Sequence, residues 1–424
     1  MIKFIFKAIL RDKNRSLLPV IIISIGVFLT IFLSGFMGGF MGDMVDQSAR
    51  FETGHVKIMS KAYADNKDQI PNDLALMGVD SLTTALKTEF PQYNWVQRIR
   101  FGGIVDAPNL QGESKGQGPS SGLAIDFFSG KSGEVTRLNI ESAIIEGRVP
   151  TKRKEVLIGY VLANKLNLNI GDTITYMGST MYGSMAFESF TIAGTVRFGV
   201  EVMDRGMVIV DISDARRMLD MEDATGEILG YLKDGVYFDE KAEKTANTFN
   251  AHYADSTDEY APVMLRLKEQ NNMGTYLDLV DSFSSIFVAI FVLIMSIVLW
   301  NTGLIGGLRR YQEFGIRLAL GEPKGHIYRT LLLEATIVGA IGSIIGTGLG
   351  VTATWLMQVY GFDISGMLQG GTMMMPSVMR AKFTPDLLYI GFIPGVFAMV
   401  LGNMLSGIAI YKRETATLFK ELEV

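Results

Sequence analysis

The sequence contains no cysteine, and histidine is scarce, with three residues among 424. Without cysteine the chain cannot form a disulfide framework, a thiolate zinc site or a lipid anchor of its own. The histidines are scattered along the sequence and offer no metal-ligand spacing. Gly130-Lys131-Ser132 matches only the end of a phosphate-binding loop, because Ile125 stands where that loop requires its first glycine. We therefore expect no metal, no nucleotide cofactor and no catalytic residue in this chain.

Charge is also absent from four long stretches of the sequence. Each runs for about 25–27 residues, enough for a helix to cross a hydrocarbon core of about 30 Å. Because a helix buried in a soluble protein is rarely so long without a charge, we interpret the four stretches as transmembrane helices. They cover residues 17–42, 282–308, 335–361 and 387–411. The first is too long for a signal peptide and no cleavage site follows it, which favours an uncleaved anchor.

Lysine and arginine are distributed unevenly around these stretches, and this asymmetry predicts the orientation of the chain. The N-terminal tail, the loop between the second and third spans and the C-terminal tail are basic, whereas the loop before the fourth span has only Arg380 and Lys382. Both termini are therefore predicted to be cytoplasmic. The predicted domains are a cytoplasmic amphipathic N-terminus with the first span (1–42), an extracytoplasmic domain (43–281), and spans two to four (282–424).

The region 43–281 has the pattern of an α+β domain. Strand-like alternation occurs in HVKIMS and SFTIAGTVRF, and helical spacing occurs in VDSLTTALKTEF. EVLIGYVLANKLNLNIGDTITY predicts strand, helix, a turn at Gly171-Asp172 and a strand, and RGMVIVDISDARRML predicts a strand and a helix capped by Asp211 or Ser213. Composition predicts a flexible loop for QGESKGQGPSSG, residues 111–122. With no disulfide available, this domain must be held by its hydrophobic core.

A charged segment, RRYQEFGIRLALGEPKGHIYR, joins the second and third spans at residues 309–329. As a helix it would have an apolar and a charged face. The two faces would consist of Tyr311, Phe314 and Leu318, and of Arg310, Glu313 and Arg317. Gly321 is placed to end this helix and Pro323 to begin the next. Such a helix either rests on lipid headgroups or docks into the groove of a cytosolic partner, and the residues alone leave both possibilities open.

The segment resembles the coupling segment of the FtsX/MacB-like permease superfamily of ABC transporters, with the pattern R-x-x-E-I-G-I-x-R-A-L-G-A-x-x-x-x-I. The matching residues are Arg310, Glu313, Gly315, Ile316, Arg317, Ala319, Leu320, Gly321 and Ile327. The chain departs from the pattern at Phe314 and at Glu322-Pro323. FETGHVKIMSKAY is similar to the strand after the first span in the lipoprotein-releasing (LolC/LolE-like) branch. The two strand-and-helix segments described above resemble the periplasmic core of the superfamily.

The resemblance implies an α-helical membrane protein with four transmembrane helices plus a large α+β extracytoplasmic domain, the MacB-like periplasmic core. The chain would lie in the bacterial inner membrane as the non-catalytic permease subunit of an ABC transporter. Its implied partners are a cytosolic ABC ATPase dimer, which would bind ATP and magnesium, and a second permease copy or paralogue. The implied ATPase-coupling residues are Arg310, Glu313, Phe314, Gly315, Arg317, Leu318 and Gly321.

Lipoprotein-releasing relatives admit acyl chains between the first and second spans. The resemblance therefore implies a lipoprotein substrate, contact with membrane lipid and a periplasmic acceptor, and it implies no nucleic-acid partner. The implied substrate-binding residues are Phe36, Met37, Phe40, Met41, Phe283, Phe287 and Ile290. The same residues suit the lipid-facing end of any transmembrane helix, so both interpretations stay open.

Other functions are compatible with the same pattern. A MacB-like exporter would move peptides or small molecules, and an FtsX-like mechanotransducer would move nothing and would regulate a cell-wall hydrolase. A sensor would need a cytoplasmic signalling domain, for which we expect the tail after Lys412 to be too short.

Small residues recur on two of the predicted spans. Gly35 and Gly39 lie on the first span, and Gly342, Gly346 and Gly350 lie on the third, at a spacing that lets helices approach closely. Such ladders serve either packing inside one bundle or contact between two copies, and the spacing does not distinguish them.

Overall fold

The computed structural model describes residues 13–108, 113–254, 257–309, 316–363 and 378–412. The chain folds into two compact units. The first, which we call the α+β unit, contains Met44–Leu277. The second, which we call the helical unit, contains the chain up to Asp43, Asp278–Phe362 and the chain from Met379 onward.

The secondary structure of the described residues alternates between long apolar helices and a region of strands and short helices. The helices are α1 (Lys13–Ser48), α2 (Lys61–Asp65), α3 (Val79–Glu89), α4 (Glu134–Arg137), α5 (Ile140–Ala143), α6 (Tyr160–Lys165), α7 (Glu201–Gly206), α8 (Ile212–Met218), α9 (Asp239–Ala251), α10 (Met273–Arg309), α11 (Lys324–Tyr360) and α12 (Leu387–Lys412). The strands are β1 (Val56–Ser60), β2 (Leu76–Met77), β3 (Tyr93–Pro108), β4 (Ser114–Ile125), β5 (Ile144–Gly147), β6 (Glu155–Gly159), β7 (Thr173–Ser179), β8 (Met185–Val196), β9 (Met207–Asp211), β10 (Ala224–Thr225), β11 (Glu227–Leu232), β12 (Pro262–Arg266), β13 (Phe362–Asp363) and β14 (Val378–Met379).

The four predicted spans fall on the long helices α1, α10, α11 and α12. By length and composition, three described helical stretches could cross a membrane: Leu17–Thr53, Lys324–Tyr360 and Leu387–Leu405. The described apolar stretch of α10, Ser285–Asn301, is shorter. Three spans therefore agree with the described helices, and a count of four stays a prediction.

The glycine ladder of α11 packs against α1 of the same chain. A Cβ on Gly346 would lie 2.6 Å from the Ser24 carbonyl oxygen and 2.8 Å from Val27 Cβ, so only glycine permits this approach. Gly342 and Gly350 lie equally close to Ile23 and Ile31, one helical turn before and after. Of the two interpretations of the ladder on α11, the structure supports packing within one bundle.

The two glycines of α1 have the same role. A Cβ on Gly35 would come within 2.5 Å of the Thr354 side chain on α11. A Cβ on Gly39 would come within 2.0 Å of the Arg380 carbonyl oxygen, just before α12. Both glycines therefore let α1 approach its neighbours inside the chain.

The α+β unit is built on a ten-stranded mixed sheet. Its strand order is β12-β1-β11-β3-β4-β9-β6-β8-β5, and β7 pairs with β3 and β8 off this path. The pairs β4–β9 and β6–β8 are parallel, and the remaining pairs of this sheet are antiparallel. Buried aliphatic and aromatic side chains form one cluster around β6, β8 and β9 and another around β1, β11 and α9. These clusters supply the core that a cysteine-free domain requires.

Most of the secondary structure predicted for this region is confirmed. β1, β8 and α3 occur where alternation and helical spacing place them, and β6, α6 and β7 follow in the predicted order. The turn before β7 uses Gly171 at a positive φ of 91°. The cap of α8 is Asp211, whose side chain accepts a hydrogen bond from the Ser213 N–H. Of the two predicted caps, Asp211 and Ser213, the structure therefore has Asp211.

The loop predicted for residues 111–122 is wrong over its described part, because Ser114–Ile125 forms the interior strand β4. β4 pairs with β3 on one side and with β9 on the other. Its small residues fit crowded surroundings: a Cβ on Gly118 would lie 3.3 Å from Leu162 Cδ1, and the Ser120 hydroxyl donates to the Gly206 carbonyl oxygen at 2.7 Å. The composition therefore reflects close packing, not flexibility.

The outer strand β12 is covered by a side chain of α9. The Asn250 amide donates to the Met264 carbonyl oxygen at 2.9 Å, and its oxygen accepts from the Met264 N–H at 2.8 Å. One asparagine side chain thus occupies the backbone groups that a further strand would use.

Candidate functional site

A narrow cleft lies between α1 and α10 in the helical unit. Its lining residues are Thr30, Leu33, Ser34 and Met37 from α1, and Phe287, Val288 and Phe291 from α10. The α1 residues recur at positions i, i+3, i+4 and i+7, so they share one face of the helix. The cavity volume is about 20 Å³, which is room for about one water molecule. An acyl chain could enter only if the two helices separated.

The structure brings together two of the seven residues predicted to bind substrate. Met37 and Phe287 both line the cleft. Phe36, Phe40 and Met41 are half-buried on α1 and are not among the lining residues, whereas Ile290 is exposed on α10. The side chain of Phe283 lies outside the described residues. Three further lining residues on α1 were not predicted, although their helical spacing from Met37 is a signal that could have identified them: Thr30, Leu33 and Ser34.

The lining of the cleft is apolar apart from two hydroxyls. The Thr30 hydroxyl donates to the Gly26 carbonyl oxygen of its own helix at 2.8 Å, so its donor is already used. None of the seven lining side chains carries a charge. The cleft therefore suits a hydrocarbon chain and lacks the converging polar groups that would bind a polar solute.

The predicted coupling segment is described only in its second half. Arg310, Glu313, Phe314 and Gly315 lie outside the described residues, so their predicted role stays a prediction. Arg317 and Leu318 are half-buried on a helical turn that covers residues 316–319.

Gly321 ends this helical turn, as the sequence predicts. It has a positive φ of 86°, and its N–H donates to the Leu318 carbonyl oxygen at 3.0 Å. The Glu322 N–H donates to the Arg317 carbonyl oxygen at 3.0 Å, which completes a Schellman motif. Pro323 is the residue immediately before α11. The third long helix therefore begins inside the coupling segment, two residues after Glu322 closes this turn.

Two apolar side chains on this turn are strongly exposed. Ile316 is 62% exposed and Leu320 is 82% exposed, four residues apart and hence on one face. The apolar face predicted from the sequence consists of Tyr311, Phe314 and Leu318 and contains neither of these two residues. Both exposed residues belong to the matched pattern, which is the signal that could have identified them.

The described part of the chain contains no group of three or more histidine, aspartate or glutamate side chains that could hold a metal ion. His326 Nδ1 lies 2.7 Å from Glu322 Oε1, a pair that spans the start of α11. Two titratable groups do not make a metal centre, so these residues support no metal chemistry.

Two family matches cover most of the chain. Residues 16–247 match the MacB-like periplasmic core domain, and residues 285–415 match the FtsX-like permease C-terminal family. The first match contains most of α1 and of the α+β unit, and it alone covers more than half of the chain. The second contains α11, α12 and most of α10.

Curated relatives agree with these matches. The lipoprotein-releasing system transmembrane protein LolC of Xylella fastidiosa is 28% identical over 211 residues, which are 48% of this chain and 48% of the relative. The macrolide export ATP-binding/permease protein MacB of Wolinella succinogenes is 42% identical over 67 residues, 15% of this chain and 10% of the relative. The match thus spans about half the length of LolC and a tenth of that MacB.

A solved structure is also similar. The periplasmic region of MacB from Actinobacillus actinomycetemcomitans gives a TM-score of 0.37 at 12% identity, over 55% of this chain and 98% of that chain. This likeness is too weak to define the fold. The two family matches show that the chain belongs to the FtsX/MacB-like permease family, with a MacB-like periplasmic core domain followed by an FtsX-like permease region.

Proposed function

We propose that this chain is the permease subunit of an ABC transporter that releases lipoproteins from the outer leaflet of the bacterial inner membrane. Four helices span the membrane, both termini are cytoplasmic, and the α+β unit is periplasmic. ATP and magnesium are bound by a separate ATPase dimer, and a second permease copy or paralogue completes the complex. Membrane lipid and a periplasmic acceptor for the lipoprotein are the remaining partners.

The observation that carries this proposal is the apolar cleft between α1 and α10. Its lining offers hydrocarbon, two aromatic rings and the flexible thioether of Met37, which adapts to chains of different shape. An acyl chain needs no more than such a lining. LolC, a relative whose name refers to lipoprotein release, supports this substrate over a polar one.

The helical turn at residues 316–319 transmits the movement of the ATPase to the membrane helices. A partner ATPase would contact the exposed face of Ile316 and Leu320, and the rigid turn at Gly321 would transmit its movement into α11. α11 packs along α1 through its glycine ladder, so movement of α11 would shift α1 and open the cleft toward α10. Predicted coupling residues Arg310, Glu313, Phe314, Gly315, Arg317, Leu318 and Gly321 belong to the same contact.

Photocrosslinking in living cells tests this function. A photoreactive amino acid at Met37 or Phe287 faces the cleft, whereas one at Ile344 is exposed on α11 and serves as the control. We expect lipoproteins to be trapped at the two cleft positions and to be lost when their acylation is blocked. The control should trap ordinary phospholipid.

A different pattern of adducts would contradict the proposal. Phospholipid alone at Met37 and Phe287, together with normal lipoprotein sorting after deletion of the gene, would exclude lipoprotein release. That result would favour a MacB-like exporter or an FtsX-like mechanotransducer.

A further inference from the structure

The end of α1 is held in an unusual way inside the α+β unit. A π-helical turn, Ala49–Thr53, follows α1 and stops at Gly54, which has a positive φ of 61°. The Gly54 N–H donates to the Ala49 carbonyl oxygen at 2.9 Å. The last carbonyl groups of a helix have no partners within it and must be satisfied from outside. π-helical turns frequently mark functional sites. The groups that donate hydrogen bonds to the carbonyl oxygens of this turn therefore indicate what holds the end of α1.

Side chains from two strands donate to these carbonyl groups. Arg98 Nη1 and Arg100 Nη2, both on β3, donate to the Phe51 carbonyl oxygen at 3.1 and 2.6 Å. The Tyr231 hydroxyl, on β11, reaches the carbonyl oxygens of Ala49 at 3.0 Å and Arg50 at 3.2 Å. β3 and β11 are neighbours in the sheet, so one region of the sheet receives the helix end.

Gln270, which lies shortly before α10, adds a fourth donor. Its Nε2 donates to the Thr53 carbonyl oxygen at 3.2 Å. The next residue, Asn271, donates to the Glu52 carboxylate at 2.7 Å. The segment that leads into α10 is therefore fastened to the same turn.

The buried Arg98 is aimed at the helix end by its own ion pair. Arg98 Nε and Nη2 bind both oxygens of Glu134 at 2.6 and 3.2 Å, and neither side chain is exposed. This bidentate pair fixes the plane of the guanidinium group and leaves Nη1 for Phe51. Arg137 also contacts Glu134 and lies 4.1 Å from the centre of the Tyr231 ring. The donors thus form one connected network.

Without the end of α1, the side chains of this network carry more positive than negative charge. The side chains around the turn include the cations Lys57, Arg98, Arg100 and Arg137 and the buried carboxylates Glu134 and Glu227. The C-terminal end of a helix carries a partial negative charge from its aligned peptide groups. The end of α1 therefore offsets part of the excess positive charge, and withdrawing it would leave Arg98 Nη1 and Arg100 Nη2 without the Phe51 carbonyl acceptor.

We propose that this network, which we call the helix clamp, makes the end of α1 and the sheet move as one rigid body. Arg98, Arg100 and Tyr231 are then positioning residues that transmit movement of α1 into the α+β unit. The source of that movement rests on the proposed function, whereas the clamp itself is a property of the resting protein. If Arg98, Arg100 and Tyr231 had a purely structural role, they would stabilise the α+β unit but would not fix the distance between the end of α1 and the sheet.

The test measures the distance between α1 and the sheet in the full chain. Because the sequence has no cysteine, Ser48→Cys at the end of α1 and Gln117→Cys on β4 are the only positions in the chain that take a spin label. Tyr231→Phe removes one clamp hydroxyl. Its matched control is Tyr176→Phe, because Tyr176 is a buried tyrosine whose hydroxyl has no hydrogen-bond partner among the described residues. A second variant, Arg100→Met, is compared with Arg148→Met, which removes an arginine paired with Glu155 elsewhere in the unit.

In the nucleotide-free protein we expect a single narrow distance peak, lost in Tyr231→Phe and Arg100→Met and kept in both controls. Unchanged peaks in the two clamp variants, or equal broadening in the controls, would overturn the clamp. In the assembled complex we expect ATP hydrolysis to continue in Tyr231→Phe while lipoprotein release falls about fivefold or more. If the peak is lost but no lipoprotein is released even by the unmodified protein, the clamp stands and the proposed function fails.

Discussion

Phe101 and Gly122 face each other across β3 and β4, and the phenylalanine ring occupies the space where a side chain at Gly122 would stand. A Cβ at Gly122 would lie 2.0 Å from Phe101 Cε2. The ring cannot easily retreat, because Tyr176 packs edge-on against it with 5.0 Å between the ring centres. Glycine is therefore required at this point of the strand.

Gly122→Ala should destabilise the α+β unit by about 1–3 kcal/mol, the usual cost of overpacking a core. Thermal unfolding of the full chain in detergent measures this loss. Gly102→Ala is the matched control, because no atom lies within 4 Å of a Cβ at that position. We expect Gly102→Ala to change stability by less than about 0.5 kcal/mol. Equal effects at the two positions would contradict the packing.

The ladder of α11 gives a second pair of variants. Gly346→Ala places a methyl group against Ser24 and Val27 of α1, whereas Gly348→Ala places it where nothing lies within 4 Å. We expect only the first to lower the melting temperature of the solubilised protein, at a cost of about 1–3 kcal/mol. If neither substitution mattered, the ladder would not form the described packing.

Leu320→Asp should release the partner ATPase. The side chain is 82% exposed, so the substitution leaves the fold intact while placing a charge on the proposed contact. Loss of a central apolar contact costs about 2 kcal/mol or more, equivalent to about thirtyfold weaker binding. Co-purification of the ATPase measures it, with Tyr182→Asp as an exposed control in the α+β unit. Full retention of the ATPase in Leu320→Asp would place the docking contact elsewhere.

Labelling of single cysteines tests the orientation. Tyr182→Cys and Arg329→Cys introduce one thiol each at exposed positions of a chain that has none. In spheroplasts a membrane-impermeant maleimide should label Tyr182→Cys directly, and Arg329→Cys only after permeabilisation. The reverse pattern would invert the predicted topology.

Acid should weaken the α+β unit through His55. Burial lowers the pKa of this imidazole from 6.5 to about 4, against the opposing influence of Asp46 and Asp234 and with a small contribution from Arg137. Its Nδ1 accepts a hydrogen bond from the Leu232 N–H at 3.0 Å, which favours the neutral ring.

Between pH 6.5 and about 4 the unfolded chain takes up a proton at His55 that the folded chain does not. The contribution of His55 to stability is therefore complete above pH 6.5 and declines as the pH falls toward 4. His55→Asn keeps an acceptor for Leu232 but cannot titrate. Melting temperatures of both proteins across this range should show a steeper decline for the unmodified chain, and parallel curves would contradict the assignment.

The sequence predicted those features that depend on periodicity and local chemistry. The long helices, the cap at Asp211 and the helix stop at Gly321 follow from such patterns, and the structure confirms them. β4 could not be predicted, because its glycines and serines are explained by residues distant in sequence, such as Phe101 and Leu162. The site could be predicted only in part. Met37 and Phe287 could be chosen by composition, but whether Val288 and Phe291 line the cleft depends on how α10 is rotated against α1.

Asn250 restricts how another polypeptide could bind at the edge strand β12. With the N–H and carbonyl of Met264 both occupied by the asparagine amide, β12 offers no free backbone pair there for an incoming polypeptide. A second copy of the chain or another extended polypeptide would therefore find no free backbone pair at Met264 with which to lengthen the sheet. A partner that bound there would have to contact side chains, which discriminate between sequences, whereas backbone pairing accepts almost any extended sequence.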